Sequence, residues 1–316
     1  MGKTKIRLED QTLWYYGWRR TGLLATLLLV SIVSQIDRVL PFILAESIKA
    51  DLKLSDTQIG LITGVAFTFC YALAALPLAR ISDSGWARKV LLFCVIVWSI
   101  MTGLGGLAVG FITLTISRIG VALGEAGGTP ASHAIIAQRI PENFRGRAIA
   151  IFSMGIPLGT MIGFGLGGWA SDSIGWRNAL FGAGVLGLIV VIFVLSFIKK
   201  QKALKQKVKT EESFLKSSRE LFSKPAFKWL FIAAILMGLS SAPFYIFTSP
   251  FLIRTFGLTA GEVGLSFGLL QGIMGIVGTL IGGKMFDRIA TNGYKGLMNP
   301  PAIILPSTWM SVVRTE

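Results

Sequence analysis

Long apolar runs separated by short polar stretches set the pattern of this chain. A helix needs about 20 apolar residues to cross the hydrocarbon core of a bilayer. Eight runs approach or exceed that length: 22–45, 57–79, 90–110, 112–136, 148–169, 178–198, 229–253 and 262–283. They predict an all-α integral membrane protein. The stretch 199–228 is the one long polar connection, and it divides the runs into six and two. The expected organisation is a six-helix N-terminal half over 1–198, a basic linker over 199–228, two helices of a second half over 229–288, and a tail over 289–316. In that tail the most apolar stretch, 300–313, has 14 residues and three prolines, too short to span.

Composition agrees. Of the 316 residues, 53% are hydrophobic and 15% charged, against about 25% charged in soluble domains, and mean hydropathy is +0.66. Two soluble domains are excluded. A net charge of +15 raises nucleic-acid binding as an alternative, but the positions of the charges answer it. Twenty-five of the 31 Lys and Arg lie in the two terminal segments and in the 2–3, 4–5 and 6–7 connections, while only Lys49, Lys53, Arg177 and Arg254 lie in the alternate ones. That asymmetry is the orientation signal of a multi-pass protein of the cell membrane with both termini in the cytoplasm, so no nucleic-acid partner is expected. The ten basic residues of 199–228 read either as a solvated linker or as a binder of anionic headgroups.

Cys70 and Cys94 sit inside apolar runs, and the single His133 has no partner pattern. No metal spacing, phosphate loop or nucleophile elbow occurs. Neither an enzyme nor a cofactor is expected.

An internal repeat has an offset of 204 residues. Leu54-Ser55-Asp56-Thr57-Gln58-Ile59-Gly60-Leu61 aligns with Leu258-Thr259-Ala260-Gly261-Glu262-Val263-Gly264-Leu265, and Gly64 with Gly268. Each copy carries a capping box, Ser55…Gln58 and Thr259…Glu262, and a Gly-xxx-Gly pair that permits close helix contact. Ala79-xxx-Asp83 matches Gly283-xxx-Asp287 at the same offset. The repeat unit is therefore six helices, and parallel six-helix halves are a transporter architecture.

These residues resemble the major facilitator superfamily. Ala79-xxx-Asp83 followed by Arg88-Lys89, and Gly283-xxx-Asp287-Arg288, are similar to its cytoplasmic gating motif, in which the Asp caps a helix and pairs with basic residues. Ser117-Arg118-Ile119-Gly120-Val121-Ala122-Leu123-Gly124-Glu125-Ala126-Gly127-Gly128 looks like the spinster-like branch. So do Gln35-Ile36-Asp37-Arg38, Gly175-Trp176-Arg177 and Gly155-Ile156-Pro157-Leu158-Gly159. The resemblance implies secondary transport by alternating access, with protons and small amphipathic or hydrophobic molecules (lysolipid, sphingoid or drug-like) as partners alongside membrane lipids.

A charge at the bilayer centre costs about 2.5–3.5 kcal/mol on insertion scales, so Asp37, Arg118 and Glu125 stand out. Arg118 and Glu125, seven residues apart, share one helix face. Desolvation favours a neutral carboxylic acid and a nearby guanidinium favours the carboxylate. A carboxylate moved between those settings would bind and release protons, and in the resemblance matching acids carry that role. The alternative is a buried ion network pinning the first helix to the fourth. Arg38 either faces a vestibule or pairs with an acid. Gly155, Gly159, Gly163 and Gly167 form a bare stripe for packing, and Pro157 offers a bend that gating could use. Aromatics at 67, 69, 71, 244, 245 and 247 are candidates for a cavity lining.

The superfamily plan has twelve helices and the pattern predicts eight, so the chain is expected to stop after the eighth. Two expectations therefore stand beside a working transporter: a truncated product without transport, or a scaffold or regulatory half that pairs with a second membrane half-carrier.

Overall fold

The computed structural model describes residues 17–199 and 214–290, with side chains over 17–199 and 218–281. The elements are α1 (Gly17–Ile43), α2 (Ala45–Leu52), α3 (Asp56–Gly60), α4 (Phe67–Ile81), α5 (Ala87–Gly105), α6 (Phe111–Glu125), α7 (Gly128–Arg139), α8 (Glu142–Ser153), α9 (Gly155–Ser173), α10 (Trp176–Phe197), α11 (Phe214–Ser223), α12 (Pro225–Phe256) and α13 (Ala260–Ala290). Among the described residues there is no strand.

The helices follow the apolar runs but outlast them. Among the described residues, six helical stretches are long and apolar enough to cross a membrane: Gly17–Ile43, Asp56–Gly105, Glu142–Ser173, Trp176–Phe197, Pro225–Phe256 and Ala260–Ile281. The stretch Asp56–Gly105 contains two of the expected spans, folded back on each other at Gly85, whose φ of 94° admits glycine without a Cβ clash. The fourth expected span is not continuous. It divides at Ala126–Gly127 into α6 and α7, each too short to cross alone. The fifth bends at Met154, between α8 and α9, just ahead of Pro157, which removes a backbone donor from the ladder.

Both capping boxes form. The Gln58 N–H donates to Ser55 Oγ at 3.2 Å and the Ser55 N–H to Gln58 Oε1 at 2.9 Å. The Glu262 N–H donates to Thr259 Oγ1 at 3.2 Å and the Thr259 N–H to Glu262 Oε2 at 2.8 Å. Helix starts 204 residues apart thus use the same device, which satisfies N-terminal donors that a helix leaves orphaned.

α9 sits between α1 on one side and α13 on the other, and α10 packs on α5 and α1. The glycine stripe of α9 explains the first contact. A Cβ at Gly155 would lie 2.4 Å from the Ser31 side chain, at Gly159 2.6 Å from Ile32 O, and at Gly163 2.4 Å from Val39 Cγ2. The second contact is made by the glycines of α13. A Cβ at Gly264 would lie 2.3 Å from Phe164 O, and one at Gly275 2.9 Å from Pro157 Cβ. Without hydrophobic gain between helices in lipid, this backbone-level approach is the main source of association. Two apolar clusters result. One joins α1, α5, α6, α7 and α10 around Leu27, Leu91 and Trp98, and the other joins α1, α9, α10 and α13 around Val39, Phe164 and Val263.

Candidate functional site

The three intramembrane charges singled out in the sequence come together where α1 passes α6. Asp37, Arg118 and Glu125 are all buried. Arg38, next to Asp37 on α1, donates from Nε to Glu125 Oε2 at 2.6 Å. Its guanidinium also lies over the Tyr71 ring at 4.6 Å, and that of Arg118 over the Phe67 ring at 5.1 Å. Phe67 and Tyr71 stack on one another at 6.2 Å, so α4 supplies an aromatic floor beneath both cations. The Arg118 guanidinium reaches the backbone oxygen of Asp37 at 3.4 Å rather than its carboxylate. Among the described residues, both Asp37 oxygens, Glu125 Oε1 and Arg118 Nε have no hydrogen-bond partner.

This arrangement answers one question the sequence left open: Arg38 pairs with an acid. The Arg38 side chain is 33% exposed while that of Glu125 is 0% exposed. The pair therefore joins a buried carboxylate to a cation that reaches open space. Glu125 is the last residue of α6, immediately before the break. The glycines around it serve helix approach: a Cβ at Gly124 would lie 2.6 Å from the Trp98 N, and one at Gly127 2.5 Å from Cys94 Sγ. That contact brings α5 against the break.

The aromatic candidates divide. Phe67 is buried and Tyr71 half-buried at the charged cluster, and the Tyr245 hydroxyl lies 3.3 Å from Gln271 Oε1. Phe69, Phe244 and Phe247 are exposed. His133 is exposed and meets the Phe152 ring edge-on at 5.4 Å.

Of the gating motif, Asp83 is exposed in the turn Ser82–Trp86. Arg88 donates to the backbone oxygens of Ile198 and Leu195, and Lys89 lies 3.7 Å above the Trp86 ring. Among the described residues neither of these two basic side chains meets Asp83. Arg88 instead ties the loop to the last carbonyls of α10, which a helix leaves unpaired. The side chains of Asp287 and Arg288 lie outside the described ones. Gly155 and Gly159 are buried against α1, and Pro157 is buried against α13.

At the opposite membrane end the structure shows a charged contact that the sequence pattern did not isolate. Arg254, in the last turn of α12, forks onto Glu46 Oε1 at 2.5 Å and Asp56 Oδ1 at 2.6 Å, and Lys49 Nζ also meets Asp56 Oδ1 at 2.8 Å. Nearby, the Gly261 N–H at the start of α13 donates to Asp172 Oδ2 of α9 at 2.7 Å. Both contacts cross between the six-helix part and α12–α13. Asp51 of α2 accepts from the Arg177 guanidinium and, at 3.1 Å, from the Trp176 indole N–H. The hydrogen bond from Arg177 is the main reason the Asp51 carboxyl is held below the ordinary carboxylate range.

Comparison with known proteins locates this architecture. The model of the Major Facilitator Superfamily matches residues 27–313. An MFS-type efflux pump of Mycolicibacterium smegmatis is 34% identical over 302 residues, covering 94% of this chain and 69% of the pump. Two crystal structures of a bacterial homologue of the human lysosomal transporter Spinster, both inward-facing, are 30% identical to it. The unoccupied form has a TM-score of 0.75 and the alignment covers 87% of this chain and 64% of that one. The occupied form gives 0.73, 85% and 61%. The chain thus spans less than two thirds of the length of those two structures.

Proposed function

The chain belongs to the Major Facilitator Superfamily of transporters and is spinster-like, and on that premise we propose that it takes part in proton-coupled secondary transport of small amphipathic or hydrophobic molecules. The buried cluster between α1 and α6 carries the reading. Four charged side chains, Asp37, Arg38, Arg118 and Glu125, occupy a region where one isolated charge is already costly. An unpaired buried carboxylate is expensive as an anion. Asp37 escapes that cost in two ways, by taking up a proton or by closing on the Arg118 guanidinium. A small relative movement of α1 and α6 selects between them.

Glu125 is in the complementary position, already held by Arg38. A substrate with an anionic or strongly polar head that engages the open side of Arg38 competes with Glu125 for the same guanidinium. Release of Glu125 then changes what its carboxylate can bind. Proton and substrate occupancy are linked through one cation, and such linkage is reciprocal. The packed glycine faces of α9 join the two sides of the carrier, while the Arg254 and Asp172 contacts close one end. Alternating access requires those contacts to separate while the packing of α9 on α1 stays intact. By charge asymmetry the closed end is the non-cytoplasmic one, both termini are cytoplasmic, and the membrane is the cell's inner or plasma membrane.

The test is proton movement driven by substrate in vesicles containing the chain, using a panel of lysolipid, sphingoid and cationic amphipathic compounds. Substrate-driven proton flux supports the reading. Transport with no proton movement removes the coupling role.

A further inference from the structure

The linker helix α11 has no part in the transport reading, yet its composition and position are specific. In helical register, apolar positions 214, 215, 221 and 222 fall within about a third of the circumference, with Ser218 in their midst. Positions 216, 219, 220 and 223 occupy the other side. A single extended residue, Lys224, joins α11 to α12, which starts with Pro225 at a helix-entry position. The apolar side continues onto α12: the Phe222 ring meets Phe227 at 5.1 Å and Phe231 at 5.2 Å, edge to face.

α12 has 32 residues and is about 48 Å long at 1.5 Å per residue. It therefore exceeds the roughly 30 Å hydrocarbon core, and with Lys224 and Lys228 ahead of the apolar run that starts at Trp229, its first turn is the part suited to the headgroup level. Trp229 and Leu230 are 71% and 65% exposed, and Leu221 and Phe222 of α11 are 45% and 43% exposed. An open apolar surface thus runs from the membrane helix onto α11 at the boundary depth. Around it stand Arg219, Lys224 and Lys228, all exposed, and the full 199–228 stretch carries ten basic residues against three acidic.

We propose that α11, with Arg219, Lys224 and Lys228 beside it, forms a binding surface for anionic phospholipid headgroups, seating α11 on the membrane leaflet from which α12 begins. Two properties select a lipid surface as the occupant. The apolar face continues directly onto a helix that is already in the membrane, and the charge is opposite to that of acidic headgroups. Each basic side chain held near an anionic surface is worth roughly a fivefold change in partition. Apolar contact from Phe222 and Leu221 adds to it. The consequence is that the connection between the two halves is anchored, and its anchoring depends on lipid charge.

The experiment reconstitutes the full chain, with Cys70→Ser and Cys94→Ser, into vesicles of phosphatidylcholine alone or of phosphatidylcholine with phosphatidylglycerol. Spin labels are placed singly at Ser218→Cys, on the apolar side, and Ser223→Cys, on the polar side. Accessibility to oxygen against a water-soluble nickel complex reports depth. The expected result is a membrane-buried label at 218 and a water-exposed label at 223 in the anionic vesicles, with the difference reduced by added salt. Combined Arg219→Gln, Lys224→Gln and Lys228→Gln substitution should lower partition by roughly a hundredfold, in proportion to three charges. The salt titration needs no substitution, so the test survives a variant that fails to fold. Equal depth in neutral and anionic vesicles, or a water-exposed label at 218 in both, overturns the proposal.

Discussion

The contact between α9 and α13 is close enough that one methyl group should disrupt it. A Cβ at Gly264 would lie 2.3 Å from the carbonyl oxygen of Phe164 and 3.2 Å from the Cα of Gly168. Those are backbone atoms of a helix and cannot rotate away. To reach even 3.0 Å, α13 must retreat by about 0.7 Å along this line. Retreat loosens the neighbouring contacts at Gly268 and Gly272, whose added Cβ atoms would lie 2.8 Å from Phe164 Cβ and 2.5 Å from Met161 Cβ. Overpacking of this kind costs about 1–3 kcal/mol. The same substitution on the same helix at Gly278, where nothing lies within 4 Å, gains up to about 1 kcal/mol from helix propensity alone. Chemical unfolding in detergent micelles should therefore show Gly264→Ala destabilised by about 1–3 kcal/mol and Gly278→Ala unchanged or slightly stabilised. Equal stability of the two variants would refute the claim that glycine approach holds α13 to the six-helix part.

Arg254→Ala should free the end that Arg254, Glu46 and Asp56 close. Paired spin labels at Lys53→Cys and Thr255→Cys, one on each side of that contact, should then shift to longer distances, with an unchanged distribution as the contrary result. Arg38→Gln leaves Glu125 buried without its cation, which costs about 3–5 kcal/mol in fully buried pairs, the lower end applying because the Arg38 side chain is 33% exposed. A double-mutant cycle with Glu125→Gln should recover most of the loss, and additive losses would show that the two do not interact. Asp51 tests the sign of a pH effect. Its carboxyl is depressed in the folded chain, so its stabilisation is present at neutral pH and fades as pH falls through the folded value, below the ordinary figure of about 4. The melting advantage of the parent over Asp51→Asn should hold at neutral pH and vanish in strong acid; an advantage that grows on acidification would contradict the assignment.

How much of this was legible depended on whether a feature is local. The spans and both capping boxes follow from runs and spacings within a few residues, and each was visible. Asp37, Arg118 and Glu125 were visible too, because a charge in an apolar run is conspicuous wherever its partner lies. The partner itself was not. Arg38 could be assigned to Glu125 only once the contact between α1 and α6 was known, since adjacent residues on a helix point about 100° apart. Arg254 was counted as an orientation signal and no more. Its partner Glu46 lies 208 residues away in sequence, and nothing local ties them. The break after Glu125 went unread because α6 and α7 form one apolar run, although Gly127 and Gly128 were the available hint. At the Asp83 loop the motif suggests acid–base contacts, while the side chain of Arg88 reaches the carbonyls at the end of α10, a contact that no local spacing announces.

The central claim is that Asp37 and Glu125 couple proton movement to transport. It is tested most directly by pH-dependent dye response in vesicles holding the parent chain, Asp37→Asn or Glu125→Gln, each challenged with a transported compound. The account predicts substrate-driven proton flux in the parent and its loss in both variants, with the variants inserted and folded to the same extent. Undiminished proton flux in both variants would contradict it.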